Sequence, residues 1–248
     1  MRTLPARIRR KLHRILWSVL MKGYGFLLRI QRKPAQPDGS AGDRKVVYLT
    51  FDDGPDYRTE QLLDTLKRYN AKATFFAVGS SPYISVLKRT AAEGHAIGNH
   101  TSNHVCKELY KNEKSFLDAL DKAERVIEEQ TLKRPYVLRF PGGSETIRYH
   151  AGDAQLDRVL LRRVEERGYR YVDWDVDAKD TRGALTPMKV YRNVIDGIRG
   201  RDGAVVLLHD TKPYTVEAVE GILIWGLRNG YRFLPMDETS PTARHILP

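Results

Sequence analysis

Two carboxylates stand side by side, Asp52 and Asp53, near the end of "VVYLTFDDGPDY" (46–57). Neighbouring ionised carboxylates repel, so either they only decorate an Asp-rich turn or something between them rewards the pairing. Two imidazoles, His100 and His104, follow four residues apart in "HTSNH". Further along come Arg139 in "RFPGG", Asp180 in "DAKD" and His209 in "LLHD". One carboxylate and two imidazoles make a three-ligand set with open positions, the pattern of catalytic rather than structural zinc sites. A divalent cation there would take one Asp as ligand and lower the cost of the other, leaving that one as a base. Arg139 would orient the base, and His209 would supply an acid.

Taken singly, each motif has an ordinary structural reading. Asp with Gly-Pro favours a turn. His100 and His104 are spaced to share one face of a helix or helical turn. Arg139 suits a solvated turn, and His209 a satisfied histidine at a strand end. The elements that carry these residues decide between the readings.

Strand and helix patterns alternate along the chain. Strands are expected over 45–51, 73–79, 95–100, 136–142, 169–176, 203–210 and 231–236, and helices over 59–69, 82–93, 114–130 and 153–167. Two more helices are expected, one opening at Thr186-Pro187 and one after the 203–210 strand running to about Asn229. Seven strands with intervening helices argue for repeated βαβ units and a parallel sheet, closed into a barrel first, or doubly wound as the alternative. Either architecture puts its site at the carboxyl ends of the strands. Five of the seven strands deliver Asp52-Asp53, His100, Arg139, the 175–180 stretch and His209 to that one rim, a concentration that folding alone does not require.

Bulk properties narrow the classes. Of the formal charge of +11, ten positive charges lie in residues 1–34 with no acidic residue among them, leaving +1 for the rest. The body is nearly neutral, which argues against nucleic acid as partner. The basic arm, 1–33, has an apolar run of only Ile15 to Met21 before Lys22, short of the about 20 residues a membrane-spanning helix needs. It reads as a basic amphipathic or signal-anchor-like segment for an anionic membrane surface, or as a helix packed on the domain. Residues 34–43 read as a Pro/Gly/Ser-rich linker, and 44–248 as the catalytic domain. Cys106 is the only cysteine, so neither an intrachain disulfide nor a thiolate cluster can form.

In order and spacing, "TFDDGP", "HTSNH", "RFPGG", "DAKD" and "LLHD" resemble the five motifs of the polysaccharide deacetylase family, carbohydrate esterase family 4, from about Lys45 to Met236. The resemblance implies a distorted, seven-stranded (β/α) barrel. It also implies hydrolytic removal of acetyl groups from carbohydrate with a divalent metal, zinc first and cobalt or nickel as alternatives. Carried over by position, Asp53, His100 and His104 would hold the metal and Asp52 would be the general base braced by Arg139. Asp180 would orient His209, the general acid. The Gly142 N–H would face the oxyanion, and Leu207 would line the pocket for the acetyl methyl. Two positions depart from the family pattern: Thr181 stands where Trp is usual, and Gly142 where Tyr is common. Both reshape the substrate wall, to which the polar segment 144–157 would also contribute.

The expected substrate is N-acetylglucosamine-containing glycan, cell-wall peptidoglycan or a chitin-like polymer, met in a membrane-associated or extracytoplasmic setting. An O-acetyl carbohydrate esterase and a non-catalytic glycan-binding member are the alternatives. A non-haem iron oxygenase could use the same three ligands, but it has no need of Asp52, Arg139 and His209.

Overall fold

The structure, a computed structural model, describes residues 45–151, 155–182 and 186–246. The expected arm and linker lie outside these residues.

The centre is β1 (Val46–Asp52), whose run of β-branched and aromatic residues suits a strand covered on both faces. It pairs in parallel with β2 (Thr74–Ala77) on one side and along its whole length with β7 (Gly203–His209) on the other. Outward from β2 come β3 (Ala96–Asn99), β4 (Val137–Leu138) and β5 (Arg170–Tyr171); outward from β7 comes β6 (Val176–Asp177). The seven strands therefore lie in the order β5-β4-β3-β2-β1-β7-β6, all parallel. A short β8 (Arg232–Phe233) pairs with the first two residues of β1. Eight strands thus occur among the described residues, because the single strand expected over 169–176 divides in two.

That division lets one short stretch join the two edges of the curled sheet. β5 and β6 sit at opposite ends of the strand order, yet only residues 172–175 separate them in the chain. The intervening stretch leaves one edge and joins the other: the Val172 N–H donates to Leu138 O at 2.9 Å and the Asp175 N–H to Val205 O at 2.9 Å. A continuous strand could not serve both edges, so the β-run of "YRYVDWDV" breaks where the two edges must be bridged.

Helices cover the outer face. They are α1 (Thr59–Arg68), α2 (Val86–Ala92), α3 (Cys106–Leu109), α4 (Glu113–Thr131), α5 (Thr146–His150), α6 (Leu156–Glu166), α7 (Pro187–Ile198) and α8 (Pro213–Arg228). The amphipathic α4 starts where the Asn112 side chain accepts the Ser115 N–H at 2.9 Å, and stops where Leu132 turns left-handed. α7 opens as its sequence suggests, with Thr186 as cap and Pro187 in the first turn. The main core joins β1 and β7 to α1, α7 and α8 through Leu49, Phe51, Leu62, Val206, Val194 and Ile222, among others. Each such side chain contributes on the order of 1.5–3 kcal/mol by leaving water. Among the described residues, no helix is long and apolar enough to cross a membrane.

Candidate active site

β1 carries the first group to the carboxyl rim and then turns sharply. Asp53 has φ 71°, a left-handed conformation that Asp tolerates better than most residues. Its carboxylate thereby faces the ends of β3 and β7. Its Oδ1 lies 3.5 Å from His100 Nε2 and 3.5 Å from His104 Nε2, and Oδ2 lies 3.9 Å from His209 Nε2.

The histidine pair is not helical. His100 follows β3 directly, residues 101–105 form a loop, and α3 starts only at Cys106. Thr101 takes φ 65°, strained for a β-branched residue and held by its N–H on Asn99 Oδ1 (2.8 Å) and its hydroxyl on Asn103 O (2.6 Å). The i, i+4 spacing is thus met by a pinned loop instead of the helical turn the spacing suggests. His100 Nδ1 lies 2.7 Å from Arg139 O, which can only accept, so Nδ1 carries the proton and the Nε2 lone pair faces Asp53.

A divalent cation fits these three donors. Asp53 Oδ1 is buried and has no hydrogen-bond partner, an expensive state for a carboxylate oxygen. Donor atoms of Asp53, His100 and His104 lie within 4.8 Å of one another. Ligands bound to zinc at about 2.0–2.2 Å in tetrahedral geometry stand roughly 3.3–3.6 Å apart, which the two 3.5 Å separations match. Burial alone would raise the Asp53 carboxyl; the His100, His209 and His104 imidazoles gathered around it outweigh burial and hold the group well below the usual carboxylate range. Burial, with His100 beside it, lowers His104 and favours the neutral ligand form.

Asp52 and Arg139 form a second pair beneath this cluster. Arg139 is fully buried, and four of its five N–H donors have partners. Nη1 donates to Asp52 Oδ1 at 2.8 Å and to Thr50 Oγ1 at 2.7 Å; Nε donates to Val172 O at 2.9 Å, and Nη2 to Asp173 O at 2.7 Å. Two of these acceptors lie in the stretch between β5 and β6, whose carbonyls the divided strand releases. Asp52 Oδ2 lies 3.8 Å from His100 Nε2.

The third group comes from β7. His209 Nδ1 faces Asp180 Oδ1 at 2.8 Å, and Thr215 Oγ1 donates to Asp180 Oδ2 at 2.7 Å. Burial would lower His209, but the hydrogen bond and charge of Asp180, with Asp52 and Asp53 nearby, push it up to about 9. Leu207, two residues before His209 on β7, is buried. Gly142 lies in the exposed turn after β4 with φ 77°, its carbonyl accepting the Thr146 hydroxyl at 2.6 Å. Thr181 is exposed beside Asp180.

Three supporting residues have no role assigned by the sequence reading, although Thr50 and Asp210 lie within the quoted motifs. Thr50 donates to Val206 O at 2.7 Å and so fixes the acceptor that Arg139 uses. Asp173 accepts the Ser144 N–H (2.8 Å) and hydroxyl (2.7 Å) and so ties down the turn that holds Gly142. Asp210 is fully buried, accepts the Thr59 hydroxyl at 2.6 Å and packs against Gly54. In the sequence, the available signal is only a polar residue at the end of an apolar run.

A parallel α/β fold that gathers a carboxylate–imidazole cluster, a braced second carboxylate and a histidine held by a buried carboxylate at one rim is the arrangement of a hydrolase. The polysaccharide deacetylase family profile matches residues 39–171. A peptidoglycan-N-acetylglucosamine deacetylase of Bacillus cereus is 35% identical over 205 residues, 80% of this chain and 71% of the relative. Another of the same name and organism is 34% identical over 222 residues, 84% of this chain and 96% of its own length. The crystal structure of the catalytic domain of peptidoglycan N-acetylglucosamine deacetylase from Eubacterium rectale superposes with a TM-score of 0.78 at 37% identity, covering 86% of this chain and 98% of the other. The chain belongs to the polysaccharide deacetylase family.

Proposed function

We propose that this chain is a metal-dependent N-deacetylase of N-acetylglucosamine-containing glycan, with cell-wall peptidoglycan first and a chitin-like polymer second, working outside the cytoplasm. The observation that carries the reading is Asp53 Oδ1, buried, unpartnered and equidistant from two imidazoles. The names of the relatives above supply the substrate class.

In this reading Asp53, His100 and His104 hold a divalent cation, zinc before cobalt or nickel. When bound, the cation supplies Lewis acidity for a water and for developing oxyanion charge. Asp52 takes the proton of the attacking water, with Arg139 fixing its direction. The Gly142 N–H donates to the oxyanion, and Leu207 packs against the acetyl methyl. His209 is charged at neutral pH and gives its proton to the departing amine, oriented by Asp180. Acetate and a free amino sugar result.

The test is acetate release from N-acetylglucosamine oligomers and from peptidoglycan after metal is stripped and zinc, cobalt or nickel is returned. Metal-dependent release that Asp52→Asn and His104→Ala abolish is the expected result. A protein that binds metal stoichiometrically yet releases no acetate from any acetylated glycan would overturn the reading.

A further inference from the structure

The loop that turns Asp53 inward carries, four residues later, an exposed aromatic side chain. Tyr57 is 59% exposed, and Tyr83, on the loop after β2 at the same rim, is 41% exposed. Their ring centroids lie 6.2 Å apart with planes inclined by 55°. Exposed aromatic rings in contact usually gain by burial, so a pair left open at the rim of a site asks for a ligand.

The pair is held rigidly. The Arg58 guanidinium lies over the Tyr57 ring, 4.0 Å from its centroid. Arg58 is itself fixed by Asp56, whose Oδ2 accepts from Nη1 at 2.7 Å and whose Oδ1 accepts the Arg58 N–H at 2.6 Å. On the other side, the Ser81 hydroxyl donates to Pro55 O and accepts the Tyr83 N–H at 3.1 Å. The Val78 N–H donates to Gly54 O at 2.8 Å, tying the same two loops together beside Asp53. Two tyrosines thus form a fixed angular corner, built into the loop that presents the acidic ligand.

We propose that Tyr57 and Tyr83 form an aromatic subsite that stacks a pyranose ring of the glycan chain, next to the sugar that loses its acetyl group. The inference rests on the glycan reading above. A pyranose suits this corner because its C–H-rich face packs on one ring while its hydroxyls reach the tyrosine oxygens and water at the rim. The subsite extends the binding surface along the polymer, so it favours long chains over short ones.

The test compares zinc-loaded wild type with Tyr57→Ala, Tyr83→Ala and the two Phe variants on the dimer and pentamer of N-acetylglucosamine. Each Ala variant lowers the pentamer-to-dimer ratio of kcat/KM about fivefold, chiefly through KM, and each Phe variant keeps most of it. Because the readout is a ratio, a general weakening of the loop does not imitate it. Calorimetric titration of the pentamer into the same proteins shows the same loss in affinity. A ratio and a pentamer affinity that survive both Ala changes would overturn the subsite. If wild type releases no acetate from either oligomer, the subsite is judged by pentamer affinity alone, and the deacetylase reading is decided separately by acetate release from peptidoglycan.

Discussion

Asp180 grips His209 twice. One carboxylate oxygen meets the imidazole Nδ1 at 2.8 Å, and the other accepts the His209 backbone N–H at 2.8 Å. Side chain and backbone of the histidine are thus fixed by one fully buried carboxyl group, itself held by Thr215.

That grip sets a pH dependence. If His209 acts as the proton donor, activity is present while it is charged and is lost as pH rises through about 9. Asp180→Asn removes the largest raising influence, so the alkaline limb of kcat/KM moves down toward the ordinary histidine value of 6.5. Turnover near neutral pH falls on the order of 10²-fold. A limb that stays in place would show that another group sets it.

Metal binding should be readable as stability. Saturating zinc at about a hundred times its Kd adds roughly 2.7 kcal/mol, or about 5–10 °C in Tm for a chain of this size. Asp53→Ala and His104→Ala should each lose that shift in a thermal melt with and without chelator. A full shift in either variant would place the cation elsewhere.

Arg139 and Asp52 form an ion pair with almost no exposure, 0% and 5% for the side chains. Arg139→Met strands a buried carboxylate and leaves the Val172 and Asp173 carbonyls without their donor. The expected loss is about 3–5 kcal/mol in denaturant unfolding. A loss below about 1 kcal/mol would mean that water replaces the guanidinium.

Away from the rim, His95 accepts the Ala73 N–H at Nδ1 (3.1 Å) and keeps a buried Nε2 without a partner. Burial, with Lys72 nearby, lowers it to about 4 from 6.5. The folded state therefore binds this proton later than the unfolded chain. Its contribution is whole above pH 6.5 and is lost as pH falls toward 4, by at most about 3 kcal/mol. His95→Gln should flatten the stability curve across that window.

Gly54 has no room for a side chain, since an added Cβ would sit 2.2 Å from Asp210 Oδ2. Gly54→Ala should weaken zinc binding at least tenfold by moving the Asp53 turn. Combined with Asp210→Ala, the two changes should cost less than their sum, because the clash is then relieved. Strict additivity in zinc affinity would show that the turn is set independently of Asp210.

Much of this site was legible beforehand for a physical reason. In a parallel α/β fold, whatever follows an apolar strand lands on one rim, so Asp53, His100, Arg139 and His209 could be assembled from strand ends alone. The divided strand was not legible, because "YRYVDWDV" has continuous β-propensity and its break answers to two distant edges. Nor was the loop between His100 and His104, since a four-residue spacing looks the same whether a helix or a pinned loop supplies it. The supporting roles of Thr50, Asp173 and Asp210 depend on partners 29 to 156 residues away, which no local pattern encodes.

The bridge between β5 and β6 ties the integrity of the wall to the reactive centre. The guanidinium that binds Asp52 also donates to the Val172 and Asp173 carbonyls, in the stretch that joins the two edges of the sheet. A descendant that abandons hydrolysis could therefore discard His104 or His209 without touching this stretch, whereas discarding Arg139 would leave two of its carbonyls without their donor. At Arg139 the candidate chemistry and the wall draw on one side chain.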